Sequence, residues 1–132
     1  MVKTKTIKQT VTIKATPHEI YEALMDSKKH SRFTGAAAKV SRRVGGKFMA
    51  YDEYVSGKNL ELIEDKKIVQ SWTASDWPAG HVSTVTFLLT PVKTGTKITF
   101  THANIPTTDV KNISDGWKEY YWLPMKEMLE KR

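Results

Sequence analysis

The sequence contains no cysteine, which excludes disulfide bonds and thiolate metal sites. It also lacks a long apolar run, and its first residues alternate with polar ones, so neither a signal peptide nor a membrane span is predicted. With 39% hydrophobic and 27% charged residues among 132, the composition is that of a globular protein able to bury roughly two thirds of its unfolded surface. We expect one cytoplasmic domain, residues 1–132, without membrane insertion.

Basic residues outnumber acidic ones by 21 to 14, which gives a formal net charge of +7. The lysines are spread along the chain, and the densest basic clusters, at residues 28–32 and 42–43, are short. Only Phe33 lies beside them, whereas surfaces that bind nucleic acid interleave basic residues with several stacking aromatics. We interpret the charge as a solvated basic surface and predict no specific nucleic-acid partner.

The N-terminal region combines a strand with two short helices. Residues 4–14 alternate between apolar and polar side chains, as in a half-buried strand. Thr16 and Glu19 have the spacing of a capping box, and apolar residues then recur at helical spacing as far as residue 25. After a break, residues 28–33 are predicted to form one or two further helical turns.

Between residues 36 and 105 the pattern is that of strands separated by turns. The turns are predicted at Gly45-Gly46, Ser56-Gly57-Lys58, Asp65-Lys66 and Lys93-Thr94-Gly95. Residues 47–55 then form one unbroken strand, and Trp77, beside a proline in the longer loop 76–80, is interpreted as a lid. The pattern predicts an antiparallel meander of about six strands, to which the N-terminal strand adds a seventh.

The chain ends in its most hydrophobic element, a helix predicted from about Val110 to Lys131. Its apolar stripe consists of Trp117, Tyr121, Pro124, Met125 and Met128. Pro124 cannot donate a hydrogen bond to the Tyr120 carbonyl, so we expect a kink there. The fold class is therefore α+β, with a long helix lying across a curved antiparallel sheet.

This order of elements resembles the helix-grip fold of the START-like, or SRPBCC, superfamily. Local motifs are similar to its branch homologous to the activator of the 90-kDa heat-shock protein ATPase. The motifs are residues 16–24, Gly45-Gly46-Lys47-Phe48, Ser56-Gly57, residues 68–72, residues 95–102 and Gly116-Trp117. The resemblance covers nearly the whole chain. It implies an apolar cavity between helix and sheet, of the kind that encloses lipids, sterols, polyketides or plant hormones in this superfamily.

Side chains that face the expected cavity are the candidate ligand-binding residues. They are Trp72, Phe87, Phe100, His102, Trp117, Tyr121 and Met125. His102 shares a strand face with apolar residues, which predicts a neutral, buried imidazole whose pKa is lowered. His18 and His30 are interpreted as exposed helix residues, and His81 as a residue at the rim of the cavity.

The histidines have neither i, i+4 spacing nor a nearby carboxylate, and no cofactor fingerprint or nucleophile elbow is present, so no metal or cofactor is predicted. The leading hypothesis is a module that binds an apolar small molecule or a protein partner. The first alternative is an enzyme of cyclase or dehydratase type, with Asp52 and His102 as a hypothetical acid–base pair. The second alternative is a co-chaperone-like protein that contacts the 90-kDa heat-shock chaperone.

Overall fold

The computed structural model describes residues 3–130. Seven strands form one sheet in the order β1-β7-β6-β5-β4-β3-β2, and every neighbouring pair is antiparallel. The strands are β1 Thr4–Ile13, β2 Lys39–Val40, β3 Lys47–Ala50, β4 Val55–Ile63, β5 Lys67–Ala74, β6 Ser83–Val92 and β7 Gly95–Pro106. The predicted α+β helix-grip architecture is thus confirmed.

Two short helices, α1 (Pro17–Met25) and α2 (Ser27–Thr34), connect β1 to β2. The predicted capping box is present: the Glu19 amide donates to the Thr16 hydroxyl, and the Thr16 amide donates to the Glu19 carboxylate. Proline occupies the first helical position, where an N–H group would have no acceptor within the helix, so its absence costs no hydrogen bond. The apolar face of α1 is buried because its residues recur at helical spacing.

The turn predicted at residues 56–58 is wrong. These residues lie inside β4, and the chain reverses instead at residues 51–54, where three consecutive residues other than glycine have positive φ angles. Gly57 is needed for a different reason than turn formation. A Cβ atom there would overlap the Ser71 carbonyl of β5, so glycine permits close approach of two strands.

The closing helix consists of a 3₁₀ turn (Thr107–Asp109), α3 (Val110–Trp117), a π turn (Lys118–Trp122) and α4 (Leu123–Glu130). Its predicted end at Lys131 lies outside the described residues. The π turn ends two residues before Pro124, the position at which the sequence predicts a kink. The Tyr120 carbonyl, which Pro124 leaves without its usual donor, accepts a hydrogen bond from the Tyr51 hydroxyl at 2.8 Å.

The π turn changes which side chains of the closing helix face the sheet. Both Tyr121 and Trp122 are buried, although they are adjacent in sequence. Three members of the predicted stripe are buried, and a fourth, Met128, is partly buried and packs against the core. The prediction omits Trp122 and Leu129, which are buried as well. The buried set is Trp117, Tyr121, Trp122, Met125 and Leu129.

Candidate functional site

A groove of about 450 Å³ opens between the first half of the closing helix and the turn that joins β3 to β4. Its walls are mainly aromatic, and none of the lining side chains carries a formal charge at neutral pH. The lining residues are Tyr51, Tyr54, Val55, Trp72, Asn112, Ile113, Gly116, Trp117, Tyr120 and Tyr121. The groove is the candidate binding site of the chain.

Helical spacing produces one wall of the groove, since residues 112, 113, 116 and 120 share a face of the closing helix. Gly116 contributes no side chain to this wall. A Cβ atom at this position would meet only a Tyr120 ring carbon, at an ordinary contact distance of 3.7 Å. The absence of a side chain at Gly116 therefore widens the groove.

The opposite wall comes from the turn at residues 51–54, which two tyrosine hydroxyl groups fix in place. The Tyr51 hydroxyl donates to the Tyr120 carbonyl on the closing helix at 2.8 Å. The Tyr54 hydroxyl donates to the Asp76 carboxylate on the loop after β5 at 3.0 Å. Because both hydroxyl protons are engaged, these rings present their faces and edges to the groove as fixed apolar surface.

Trp72, on β5, contributes to the lining from the side of the sheet. It is only 5% exposed, and its ring centroid lies 6.1 Å from that of Trp117. Within residues 3–130 the Trp72 indole N–H has no hydrogen-bond acceptor. In the same part of the chain, every fully buried side-chain nitrogen has a hydrogen-bond partner. The Trp72 N–H therefore reaches solvent, at the edge of an otherwise buried ring.

Below the groove, a buried chain of hydrogen bonds ties the sheet to the closing helix. The indole N–H of Trp117 donates to Nδ1 of His102 at 3.0 Å. Since Nδ1 accepts, the neutral imidazole carries its proton on Nε2 and donates it to the Ser83 hydroxyl at 2.7 Å. The Ser83 hydroxyl in turn donates to the Trp72 carbonyl at 2.6 Å. Each polar atom in this chain has a partner.

His102 is held in its neutral form by these surroundings. It has no exposed surface, and burial lowers its pKa to about 3. The direction is the one expected from its apolar neighbours on β7. The imidazole therefore acts as a packed, hydrogen-bonded core residue at neutral pH.

The hypothetical acid–base pair of Asp52 and His102 is absent from the structure. Asp52 is exposed in the turn after β3, and its carboxylate accepts from the Ala37 amide at 3.0 Å. Both ring nitrogens of His102 are occupied by other groups. Its neighbour Ser83 gives its proton to a backbone carbonyl, so His102 donates to this hydroxyl and does not act as a base toward it.

The prediction that His30 is exposed is wrong, whereas His18 is exposed as expected. His30 is 5% exposed; Nδ1–H donates to the Leu24 carbonyl and Nε2 accepts from the Tyr121 hydroxyl, both at 3.0 Å. Burial lowers its pKa. Phe33, three residues further along α2, packs on the same tyrosine, so the i, i+3 pair marks the inner face of this helix.

Trp77, interpreted from the sequence as a lid, is 7% exposed and packs against Trp72 with a centroid distance of 5.3 Å. Its ring also lies 6.5 Å from that of His102. His81 covers it from outside at 5.5 Å and donates through Nε2 to the Asn104 carbonyl. The loop after β5 thus closes one end of the core.

The seven predicted cavity residues divide into two groups. Three of them line the groove: Trp72, Trp117 and Tyr121. The other four are buried between the closing helix and the sheet and do not contribute to its lining: Phe87, Phe100, His102 and Met125. The region beneath the closing helix is filled there by packed rings, with Trp117 and Phe100 only 4.4 Å apart between centroids.

Sequence reasoning missed the groove residues that come from the turn and from the outer edge of the closing helix. They are Tyr51, Tyr54, Val55, Asn112, Ile113, Gly116 and Tyr120. The four residues from the closing helix, at positions 112, 113, 116 and 120, recur at helical spacing in the sequence, but on a different face from the predicted apolar stripe. Tyr51 and Tyr54 were predicted to lie in a strand, where residues three positions apart point to opposite faces, so their shared position at the groove could not be predicted.

The part of the chain that the structure describes contains neither a metal-binding cluster nor a membrane-spanning helix. No group of three or more histidine, aspartate or glutamate residues is arranged to hold a metal ion there. No helix within residues 3–130 is long and apolar enough to cross a membrane.

The family described as "Activator of Hsp90 ATPase homolog 1-like protein" matches residues 14–130. The chain belongs to this family. A human protein named activator of 90 kDa heat shock protein ATPase homolog 1 is 31% identical over 128 residues, which are 96% of this chain. The chain spans only 38% of the length of that relative. The family resemblance inferred from the sequence motifs is confirmed.

Two solved structures share the fold. An HSP90 activator from Plasmodium falciparum superimposes with a TM-score of 0.87 at 28% identity, covering 95% of this chain and 96% of that chain. A protein from Chromobacterium violaceum gives a TM-score of 0.79 at 23% identity, covering 96% and 98%. The second likeness concerns the fold alone.

Proposed function

We propose that this chain acts as a single binding domain that contacts a protein partner through the groove, and that the partner is a 90-kDa heat-shock chaperone. The observation that carries the proposal is the exposed aromatic rim. Tyr54 is 41% exposed and Tyr120 is 52% exposed, on opposite walls of the groove. Tyrosine is enriched at protein interfaces because it buries a large apolar area while losing little conformational entropy.

The filled region beneath the closing helix favours contact at the surface over enclosure of a large ligand. Phe100, His102 and Met125 have no exposed surface, and their rings and side chains occupy the place where a central cavity was expected. The open space lies at the groove, where a partner can reach it without displacing the closing helix. The names of the human and Plasmodium relatives support the choice of chaperone.

A small apolar molecule is the second candidate occupant of the same groove. The volume of about 450 Å³ falls within the range of roughly 300–1,000 Å³ that is usual for small-molecule pockets. The aromatic lining and the unpartnered indole N–H of Trp72 would suit a largely apolar compound with one acceptor. Native mass spectrometry of freshly purified protein would reveal such a compound as an added mass.

Gly116 provides the experiment that tests the proposed function. Gly116→Leu would fill the groove from the helix side, while Gly116→Ala adds one methyl group with ordinary contacts and is the matched control. Binding of both variants to a purified 90-kDa heat-shock chaperone is measured together with its ATPase rate. We expect the alanine variant to bind like the wild type and the leucine variant to bind roughly tenfold more weakly.

Thermal unfolding of both variants shows whether they are folded under the conditions of the binding measurement. If the folded leucine variant binds the chaperone as tightly as the alanine variant, the groove is not the contact surface. If the wild-type chain does not bind the chaperone, the proposed partner is wrong, and an added mass that the leucine variant loses would favour the small molecule.

A further inference from the structure

Two carboxylates lie at the mouth of the groove. Asp76 accepts the hydroxyl proton of Tyr54 through one oxygen, at 3.0 Å. Asp109 ends the 3₁₀ turn at the start of the closing helix, three residues before Asn112, the first helix residue of the groove lining. The pKa of Tyr54 is raised to about 12, first by burial and then by Asp76 and Asp109, which is consistent with both carboxylates lying near its hydroxyl.

These two carboxylates have no basic partner among the described residues. The ion pairs in that part of the chain involve other acids, namely Asp65, Glu22 and Glu61. Neither carboxylate is therefore neutralised by a salt bridge within residues 3–130, although the chain as a whole has a net charge of +7.

The lining offers aromatic faces behind this negative mouth. Tyr51, Tyr54 and Tyr120 stand near the surface, and Trp72 lies deeper. A cation is attracted to the face of an aromatic ring, and arginine is the most frequent cation in such pairs. The planar guanidinium also matches a carboxylate in a two-pronged arrangement, and Asp76 uses only one oxygen for the tyrosine hydrogen bond.

We infer that the groove takes an arginine side chain presented by a protein partner. The aliphatic part of the arginine packs along the aromatic walls, and its guanidinium lies at the mouth, between the Tyr54 ring and the carboxylates of Asp76 and Asp109. The inference rests on the proposed function, because it names the chemical group that a partner inserts into the groove. The charge of the mouth selects this group over a neutral side chain of similar length.

Three capped tripeptides test the inference on the full chain. Their central residue is arginine, citrulline, which is a neutral analogue of arginine of nearly the same shape, or norleucine, which is purely apolar. Binding is followed by NMR at the Trp72 indole N–H. We expect the arginine peptide to bind in the millimolar range and the citrulline peptide to bind at least about fivefold more weakly.

Charge variants locate the effect at the mouth of the groove. Asp76→Asn keeps an oxygen for the Tyr54 hydroxyl while removing the charge, and Asp109→Asn removes the second charge. Each should weaken arginine binding by about threefold to fivefold and leave norleucine binding unchanged. Asp115→Asn removes an exposed charge from α3 that is not one of the carboxylates acting on the Tyr54 hydroxyl, and it is the control that should have no such effect.

Equal binding of arginine and citrulline peptides would overturn the inference, as would the absence of any arginine binding. These failures differ from failure of the proposed function. If norleucine binds better than arginine while chaperone binding still depends on position 116, the groove remains the contact surface and only the arginine preference is wrong. If arginine binds as expected but Gly116→Leu leaves chaperone binding intact, the preference is supported and the proposed chaperone contact fails.

Discussion

Two regions beneath the closing helix contain similar aromatic residues but differ in where their polar atoms bind. Three aromatic side chains of the sealed centre donate to other side chains: Trp117 to His102, Trp122 to Gln9, and Tyr121 to His30. Trp117 and Tyr121 also line the groove, so they form the boundary between the two regions. In the groove, Tyr51 donates to a backbone carbonyl, Tyr54 donates to an acid at the mouth, and the Trp72 N–H is without a partner.

The difference explains why one region is core and the other is surface. These three hydrogen bonds fix the distance between the closing helix and the sheet or α2, so little space remains. Gly116, in the wall of the groove, is next to Trp117, which anchors the centre. Glycine inside a helix costs roughly 0.5–1 kcal/mol relative to alanine, so the open space is obtained at the expense of stability.

Replacement of Trp117 tests the sealed centre most severely. Trp117→Ala should lower the free energy of unfolding by about 3–5 kcal/mol, since it leaves a cavity and deprives His102 of its donor. Tyr120→Ala, in the groove wall, is the comparison and should cost less than about 1 kcal/mol. Urea unfolding measures both values. A similar loss for the two variants would show that the regions do not differ in packing.

Acid should weaken the centre through His102. Its folded-state pKa of about 3 is below the usual histidine value of about 6.5, so the unfolded chain binds this proton more readily than the folded chain. Its contribution to stability is therefore complete above about pH 6.5 and is lost as the pH falls toward 3, by up to about 1.4 kcal/mol per pH unit. The lowered pKa of His30 acts in the same direction.

The acid effect is measured as the free energy of unfolding between about pH 7 and about pH 5, above the range where most carboxylates titrate. His102→Gln should flatten this dependence by removing one titrating group. An NMR titration of the wild-type protein gives an independent reading that does not require a stable variant. Protonation of His102 near pH 6.5 in the folded protein would contradict the sealed environment.

The sequence predicted those parts of the fold that local patterns determine. The capping box of α1, the inward faces of β5 to β7 and the strand count follow from spacing within short segments. The turn between β3 and β4 was misplaced because Gly57 was interpreted as a turn residue. Its actual role is to let β4 approach the Ser71 carbonyl of β5, and a contact between strands is not visible in a short segment. Positive φ angles at Tyr51, Asp52 and Glu53 leave no glycine signal in the sequence.

The candidate site was less predictable than the fold because it depends on long-range pairing. His30 is buried by Tyr121, which lies 91 residues further along the chain. The groove requires that the tyrosines of one turn face the helix residues around Gly116, and no short segment encodes that arrangement. The π turn also brings Trp122 into the core. A regular α-helix, as predicted from the sequence, would leave Trp122 outside the apolar stripe.

Hydrogen exchange at the four indole N–H groups, followed by NMR, tests most directly whether the centre is sealed while the groove is open. The N–H groups of Trp117 and Trp122 are hydrogen-bonded to His102 and Gln9, and we expect them to exchange roughly a hundredfold more slowly than that of Trp72. Exchange of the Trp117 N–H as fast as that of Trp72 would contradict the closed centre and would mean that an open cavity extends beneath the closing helix.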